Sequence, residues 1–312
     1  MVEELSWPQR SPDWPKAKKT WGLYWQVHVY LFAGFWTIAT VCYFALSIKS
    51  ITRLKNGRKR THFTVLATQL LFVALSRCFV LFLNPYGSKS TNLIGLVITI
   101  GGWSLGTAGL TSALGVLLLI LLDTTRVSLG SPRFQNLRVL LAITASIVVF
   151  VIITDVIVAL HNEAKILLLL CEMAVSIWGL VTMIGYVLVA ARIRRNLRST
   201  LDSANPNSTG QRLDQYQRTR LTRILFTCFG AAFLGFVMFG TSLYAVFFGS
   251  SSVLSDEDVA DVWRWWAFQT TFRVLEMLIT LSISLITFQT PREAVKRDNR
   301  KPSEISVMQE EQ

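Results

Sequence analysis

Apolar residues in this chain come in long runs that alternate with short basic segments. The run at 63–87, FTVLATQLLFVALSRCFVLFLNPYG, shows the pattern most clearly: it carries one arginine, Arg77, and closes in an Asn-Pro-Tyr-Gly turn. About twenty residues of this kind satisfy their own backbone hydrogen bonds as a helix and cover the ~30 Å hydrocarbon core of a bilayer. Counted along the whole chain, such runs fall at about 23–48, 63–83, 93–122, 139–160, 166–190, 224–248 and 265–288. They predict an all-α membrane protein, a bundle of seven transmembrane helices filling residues 21–288. A short polar segment, 1–20, precedes the bundle and a polar tail, 289–312, follows it. The third run holds Gly95, Gly101, Gly102, Gly106, Gly109 and Gly115, with Gly102 and Gly106 forming a GxxxG step, and the sixth run repeats the motif with Ala231 and Gly235. Small residues let helix backbones approach closely where lipid offers no hydrophobic drive for association, so span three is expected at the centre of the bundle.

Charge then orients the bundle. Lysine and arginine number 6, 3 and 8 in the loops after spans one, three and five and 5 in the tail, against 7 in all the segments of the opposite face, four of them in the N-terminal segment. Basic loops resist translocation, so the N-terminus is expected outside and the C-terminus in the cytoplasm. The net charge of +12 therefore lies on the cytoplasmic loops, where the lipid bilayer supplies anionic headgroups as counter-charge and an unidentified cytoplasmic protein is the other candidate partner. Nucleic acid is set aside on the same ground. The sequon Asn207-Ser208-Thr209 falls in the longest cytoplasmic loop and is expected to be unused. The first twenty residues hold no apolar stretch, so span one is expected to be the targeting signal. Cys42, Cys78, Cys171 and Cys228 all sit in apolar segments and are expected as packed, reduced thiols.

Five ionisable residues interrupt the spans: Arg77, Asp155, Glu172, Arg273 and Glu276. Each costs about 2.5–3.5 kcal/mol at a helix centre, so they are expected to face the bundle interior and pair. All five lie in the outer half or near the midplane, and Arg273 and Glu276, three apart, share a helix face. The cluster reads either as an outward-opening polar pocket for a ligand or ion, or as salt bridges that order the bundle, for instance Arg77 with Glu172 or Asp155. His28, near the aromatic start of span one, is expected to be a hydrogen-bonded structural residue. His62 and His161 stand at loop edges on opposite sides, too far apart for the several ligands a catalytic zinc needs, so no metal and no other cofactor is expected. One intramembrane aspartate cannot form the proton-sharing pair of an aspartyl protease, and no base accompanies a serine nucleophile. Catalysis is not expected.

Three stretches carry a family resemblance: Trp25-Gln26-Val27-His28-Val29-Tyr30 opening span one, Ser76-Arg77 in span two, and Leu81-Phe82-Leu83-Asn84-Pro85-Tyr86-Gly87 at its end. Together they resemble the membrane domain of the proline-rich transmembrane protein 3 and 4 family over roughly residues 21–288. The resemblance marks His28, Ser76, Arg77, Asn84, Pro85, Tyr86 and Gly87 and implies a multi-pass membrane architecture; the family brings no chemistry that could be carried over. Asn84 stands where an acidic residue is usual, and only Pro8, Pro12 and Pro15 precede span one, in place of a long proline-rich ectodomain. The chain is thus expected to be a receptor-like or scaffolding membrane protein, with a transporter or channel subunit as the alternative reading.

Overall fold

A computed structural model of the chain describes residues 11–53, 57–89, 93–125, 136–161, 164–202, 211–247 and 259–298. Its elements are eight α-helices, and among the described residues there is no strand: α1 (Trp14–Trp21), α2 (Leu23–Arg53), α3 (Gly57–Leu83), α4 (Leu93–Thr125), α5 (Leu137–Leu160), α6 (Lys165–Asp202), α7 (Gln211–Phe247) and α8 (Val262–Asp298). The sequon, the acidic run Asp256 to Asp258 and the last residues of the tail lie outside the described residues.

Helices α2 to α7 are long and apolar enough to cross a membrane. Helix α8 has the length, but Gln269, Thr270, Thr271, Arg273 and Glu276 dilute its apolar run. The outward faces of the helices carry Ile38, Phe44, Phe79, Phe82, Phe226 and Phe233, each more than half exposed, as helices solvated by lipid tails require. Two helices also run past their expected spans. Helix α6 continues to Asp202 and α7 begins at Gln211, so the region read as one long loop at 191–223 is mostly the projecting ends of a helix pair. Good helix formers, Arg192, Arg194, Arg195 and Arg198 among them, let the helices continue into water.

Helix α4 is the axis of the bundle. It packs against α3, α5, α6 and α8, and 78% of its membrane window is buried, against 22% for each of α5, α6 and α7. Glycine makes this possible: a Cβ on Gly102 would strike the Val80 side chain of α3, and one on Gly106 would stand 2.7 Å from Arg77 Cζ. The second small-residue step also faces inward, with Ala231 buried and Gly235 against Met183 of α6. Polar side chains add pins between helices. His62 Nδ1 lies 3.0 Å from Asp123 Oδ2 at one end, and Tyr43 of α2 meets Ser284 of α8 at 2.6 Å between hydroxyls.

Helix α1 was not anticipated, although its signals are in the sequence. Asp13 caps it by accepting from the Lys16 amide, Pro15 occupies its first turn, and Gly22 ends it at φ +50°, a conformation that suits glycine. Its Ala17 and Trp21 are fully buried. The four cysteines are free; Cys171 and Cys228 are packed, Cys78 is half-buried, and Cys42 is exposed on the outer face of α2, contrary to the expectation that all four pack.

Candidate functional site

Arg77, in the last third of α3, is fully buried between α4 and α8. Its Nη1 donates to the Trp103 carbonyl at 2.7 Å, and its Nη2 donates to Thr107 Oγ1 at 2.8 Å and to Glu276 Oε1 at 2.5 Å. The neighbouring Ser76 hydroxyl donates to the Gly102 carbonyl at 2.5 Å. The GxxxG step of α4 is what brings carbonyls and guanidinium this close, because the guanidinium lies where a Cβ on Gly106 would be.

Glu276 is also fully buried, and its second oxygen, Oε2, accepts from Arg273 Nη1 one turn earlier on α8. One carboxylate thus bridges two guanidiniums. Trp103 completes the group, with Arg77 Cζ 4.7 Å and Arg273 Cζ 4.1 Å from its ring centroid. Such contacts contribute about 0.5–1 kcal/mol when exposed and ~2 kcal/mol or more when desolvated, as here.

The expected partner assignment is corrected: Arg77 pairs with Glu276, rather than with Glu172 or Asp155. Depth along a span can be counted from sequence, but which helix lies beside which cannot, and α4 with its glycines brings α3 and α8 together. Asp155, buried on α5, faces α4 from another side, its Oδ2 3.9 Å from where a Gly101 Cβ would stand. Among the described residues neither of its oxygens has a hydrogen-bond partner, although Ser104 stands beside it. Glu172 is half-buried on α6, outside the bridged group.

Above the charges sits a column of rings. Tyr86 stacks on Trp103 with centroids 5.0 Å apart and planes 13° from parallel; Trp265 meets Tyr86 edge-on at 5.4 Å; and Trp21 of α1 stacks on Trp265 at 5.7 Å. Trp265 is buried in this column. Tyr86 holds its place through an unusual backbone, φ +57° in the turn after α3, a region that disfavours non-glycine residues. The turn is tied by Asn84, whose Oδ1 accepts from the Lys89 amide at 2.9 Å while its Nδ2 donates to the Lys89 carbonyl at 3.3 Å. An amide does both; an ionised carboxylate could only accept. Gly87, at φ +72°, and Pro85, at the first position of the turn, complete it.

His28 joins the column to α8. Its Nε2 lies 2.8 Å from the Tyr86 hydroxyl and its Nδ1 lies 3.1 Å from Thr270 Oγ1, while Thr270 itself donates to the Trp266 carbonyl. Since the threonine proton is committed, Nδ1 carries the imidazole hydrogen and Tyr86 donates to Nε2. Burial pushes the Tyr86 phenol well above its ordinary range, so that proton stays on the oxygen. Lys18 of α1 closes the top by donating to the Ser88 carbonyl at 2.6 Å.

Of the residues singled out in the sequence, Arg77, Arg273, Glu276, His28 and Tyr86 come together here, whereas Trp103, Thr107, Thr270 and the rest of the column were not singled out. Trp103 was signalled by its position inside the glycine step, beside Gly102. No group of three His, Cys, Asp or Glu residues suited to a metal occurs among the described residues.

Long apolar helices with lipid-facing outer walls around a buried charged centre define a multi-pass integral membrane protein. The family model of the proline-rich transmembrane protein 3 domain matches residues 2–303, and the chain belongs to that family. No curated protein matches it.

Proposed function

We propose that this is a seven-span, receptor-like membrane protein without enzymatic activity, its N-terminus outside and its C-terminus in the cytoplasm, whose bridged Arg77–Glu276–Arg273 group forms the floor of an outward-facing ligand pocket. The observation that carries the reading is the placement of the group. It lies under an aromatic column at the helix ends that carry the N-terminal helix, away from the arginine-rich ends of α6 and α7. Anionic lipid heads and a cytoplasmic protein would contact those arginine-rich ends.

Helix α8 supplies the seventh crossing in this reading. Its polar residues Arg273, Glu276, Thr280 and Ser284 recur at helical spacing and are all buried, so the side of α8 facing lipid stays apolar through Leu278, Leu281 and Leu285. The same stripe favours a second reading, a transporter whose polar path follows α8 from Arg273 toward Ser284 and Tyr43.

Single reporter cysteines in a cysteine-free chain test the orientation. Lys89, exposed beside the Asn84 turn, is the better outer position, because Ser88 is buried and bonded to Lys18. Labelling at Lys89 in intact cells, with labelling at Ser128 and Ser203 only after permeabilisation, is the expected result; the inverted pattern removes the outward pocket. Flux in liposomes separates the two functional readings. A transporter loses substrate- or ion-dependent flux in Arg273→Gln, which leaves Arg77 and Glu276 as a neutral pair, whereas the receptor-like protein supports no flux to lose.

A further inference from the structure

The bridged group is not neutral. It holds two guanidiniums, which stay charged in proteins, and one carboxylate, so one positive charge is left over in a buried site. Hydrogen bonds locate the excess. Arg77 uses both terminal nitrogens, on a carbonyl, a hydroxyl and Glu276, and its Nε, buried without an acceptor, is closed off against α4, 3.0 Å from where a Gly106 Cβ would stand. Arg273, among the described residues, donates only through Nη1, and its Nε is buried with no acceptor. Trp103 Nε1, on the ring beneath Arg273 Cζ, is buried without an acceptor as well.

The unused part of Arg273 has a definite shape. With Nη1 taken by a single Glu276 oxygen, the side edge made by Nε and Nη2 remains, and the rings of Trp103 and Phe272 lie 4.1 and 5.0 Å from Cζ. A guanidinium edge presents two parallel N–H donors whose spacing matches the two oxygens of a planar carboxylate. Charge, donor count and flanking rings select the same partner: a singly charged carboxylate attached to an apolar or aromatic body. Arg273 is 6% exposed where Arg77 is 0%, so it is also the member of the group closer to the surface.

We infer that the Nε–Nη2 edge of Arg273 binds the carboxylate of a small organic acid, with Trp103 supplying ring contact and its Nε1 a further donor. This rests on the pocket reading above and names the class of ligand that would enter it.

Thermal unfolding of the purified full-length chain in lipid nanodiscs tests the site, with sodium benzoate as probe, neutral benzamide as its uncharged counterpart and sodium chloride at matched ionic strength. Benzoate should raise the midpoint saturably, with benzamide and chloride leaving it unmoved. Arg273→Gln, which removes the excess charge, should abolish the benzoate shift; Arg273→Lys, which keeps the charge but not the two-donor edge, should need at least ~10-fold more benzoate. If Arg273→Gln does not fold, the lysine variant decides. Equal shifts with chloride and benzoate, an equal shift with benzamide, or a wild-type response retained in Arg273→Lys each overturn the carboxylate site. Labelling at Lys89 reports separately on the outward pocket: a chain labelled from outside with no benzoate response loses the ligand class alone, and a responsive chain labelled only after permeabilisation keeps the site and loses the orientation.

Discussion

A single hydrogen at the α-carbon of residue 106 decides whether the charged group can assemble. Arg77 lies against α4 at Gly106, with Cζ, Nη1 and Nε 2.7, 2.8 and 3.0 Å from the position a Cβ would take. Arginine ends are usually free to swing aside, but this one is held by Trp103, Thr107 and Glu276 at once. Gly106→Ala should therefore destabilise the bundle by about 1–3 kcal/mol, the usual range for overpacking a well-packed core. Gly235→Ala offers the comparison. The atoms in its way belong to Met183, an unbranched side chain with no hydrogen bonds to lose, which can turn to another rotamer. Thermal melts of the two alanine variants in the same detergent should place Gly106→Ala below Gly235→Ala; the reverse order would mean that the guanidinium is not pinned. The sequence displayed both small-residue steps but not this difference, because what separates them is the side chain on the facing helix.

Among the elements, α1 differs from the rest in how it is held. Eight residues are too few for a stable isolated helix, so its structure depends on docking Trp14 and Trp21 against Trp25 and Trp265. Trp21 and Trp36 are equally buried, at 1% and 0% exposure, yet they sit in different hydrophobic clusters: Trp21 joins the small one around Ala17, Ala260 and Trp265, and Trp36 lies in the main core among α2, α3 and α4. Trp→Ala in a core costs about 3–5 kcal/mol. At Trp36 that loss should appear as a lower global melting midpoint. At Trp21 the helix can undock alone, which caps the global cost. Hydrogen exchange should show faster exchange confined to residues 14–21 in Trp21→Ala, with the midpoint falling less than in Trp36→Ala. Equal midpoints would make α1 part of the main folding unit. The caps of this helix, Asp13, Pro15 and Gly22, were legible in the sequence. It is hard to see in the sequence because Lys16, Lys18 and Lys19 make it polar overall, and periodicity over two turns is too short to stand out beside runs of twenty apolar residues.

At the scale of the whole molecule, membrane-spanning runs were legible because lipid demands about twenty apolar residues whatever the tertiary contacts, whereas the pairing of Arg77 with Glu276 joins residues 199 apart in sequence, brought together through α4. Helix α8 is where these two kinds of information meet. Judged alone it is marginal: Arg273 and Glu276 together weigh against insertion by several kcal/mol on translocon scales. Judged in the bundle, Glu276 faces Arg77 and the apolar side of α8 faces out. A seventh crossing therefore depends on a partner supplied by α3. Tags on the two termini should lie on opposite faces of the membrane in the wild type, N-terminus outside. Replacing Arg273 and Glu276 together by leucine should leave that arrangement intact, because α8 then crosses without help, although Arg77 loses its counter-charge. Arg77→Leu should do more damage to topology, since it leaves Glu276 with Arg273 alone on a helix that must still enter the bilayer; removing one partner of a buried pair costs ~3–5 kcal/mol. Surface delivery should fall, and the C-terminal tag should divide between the two faces in the chains that are made. Wild-type tags on one face would reduce the crossings to six and leave α8 outside the membrane, with its charged group at the surface rather than within the bundle. An undivided C-terminal tag in Arg77→Leu, at normal surface levels, would instead show that α8 crosses on its own and that the pair serves the pocket more than the fold.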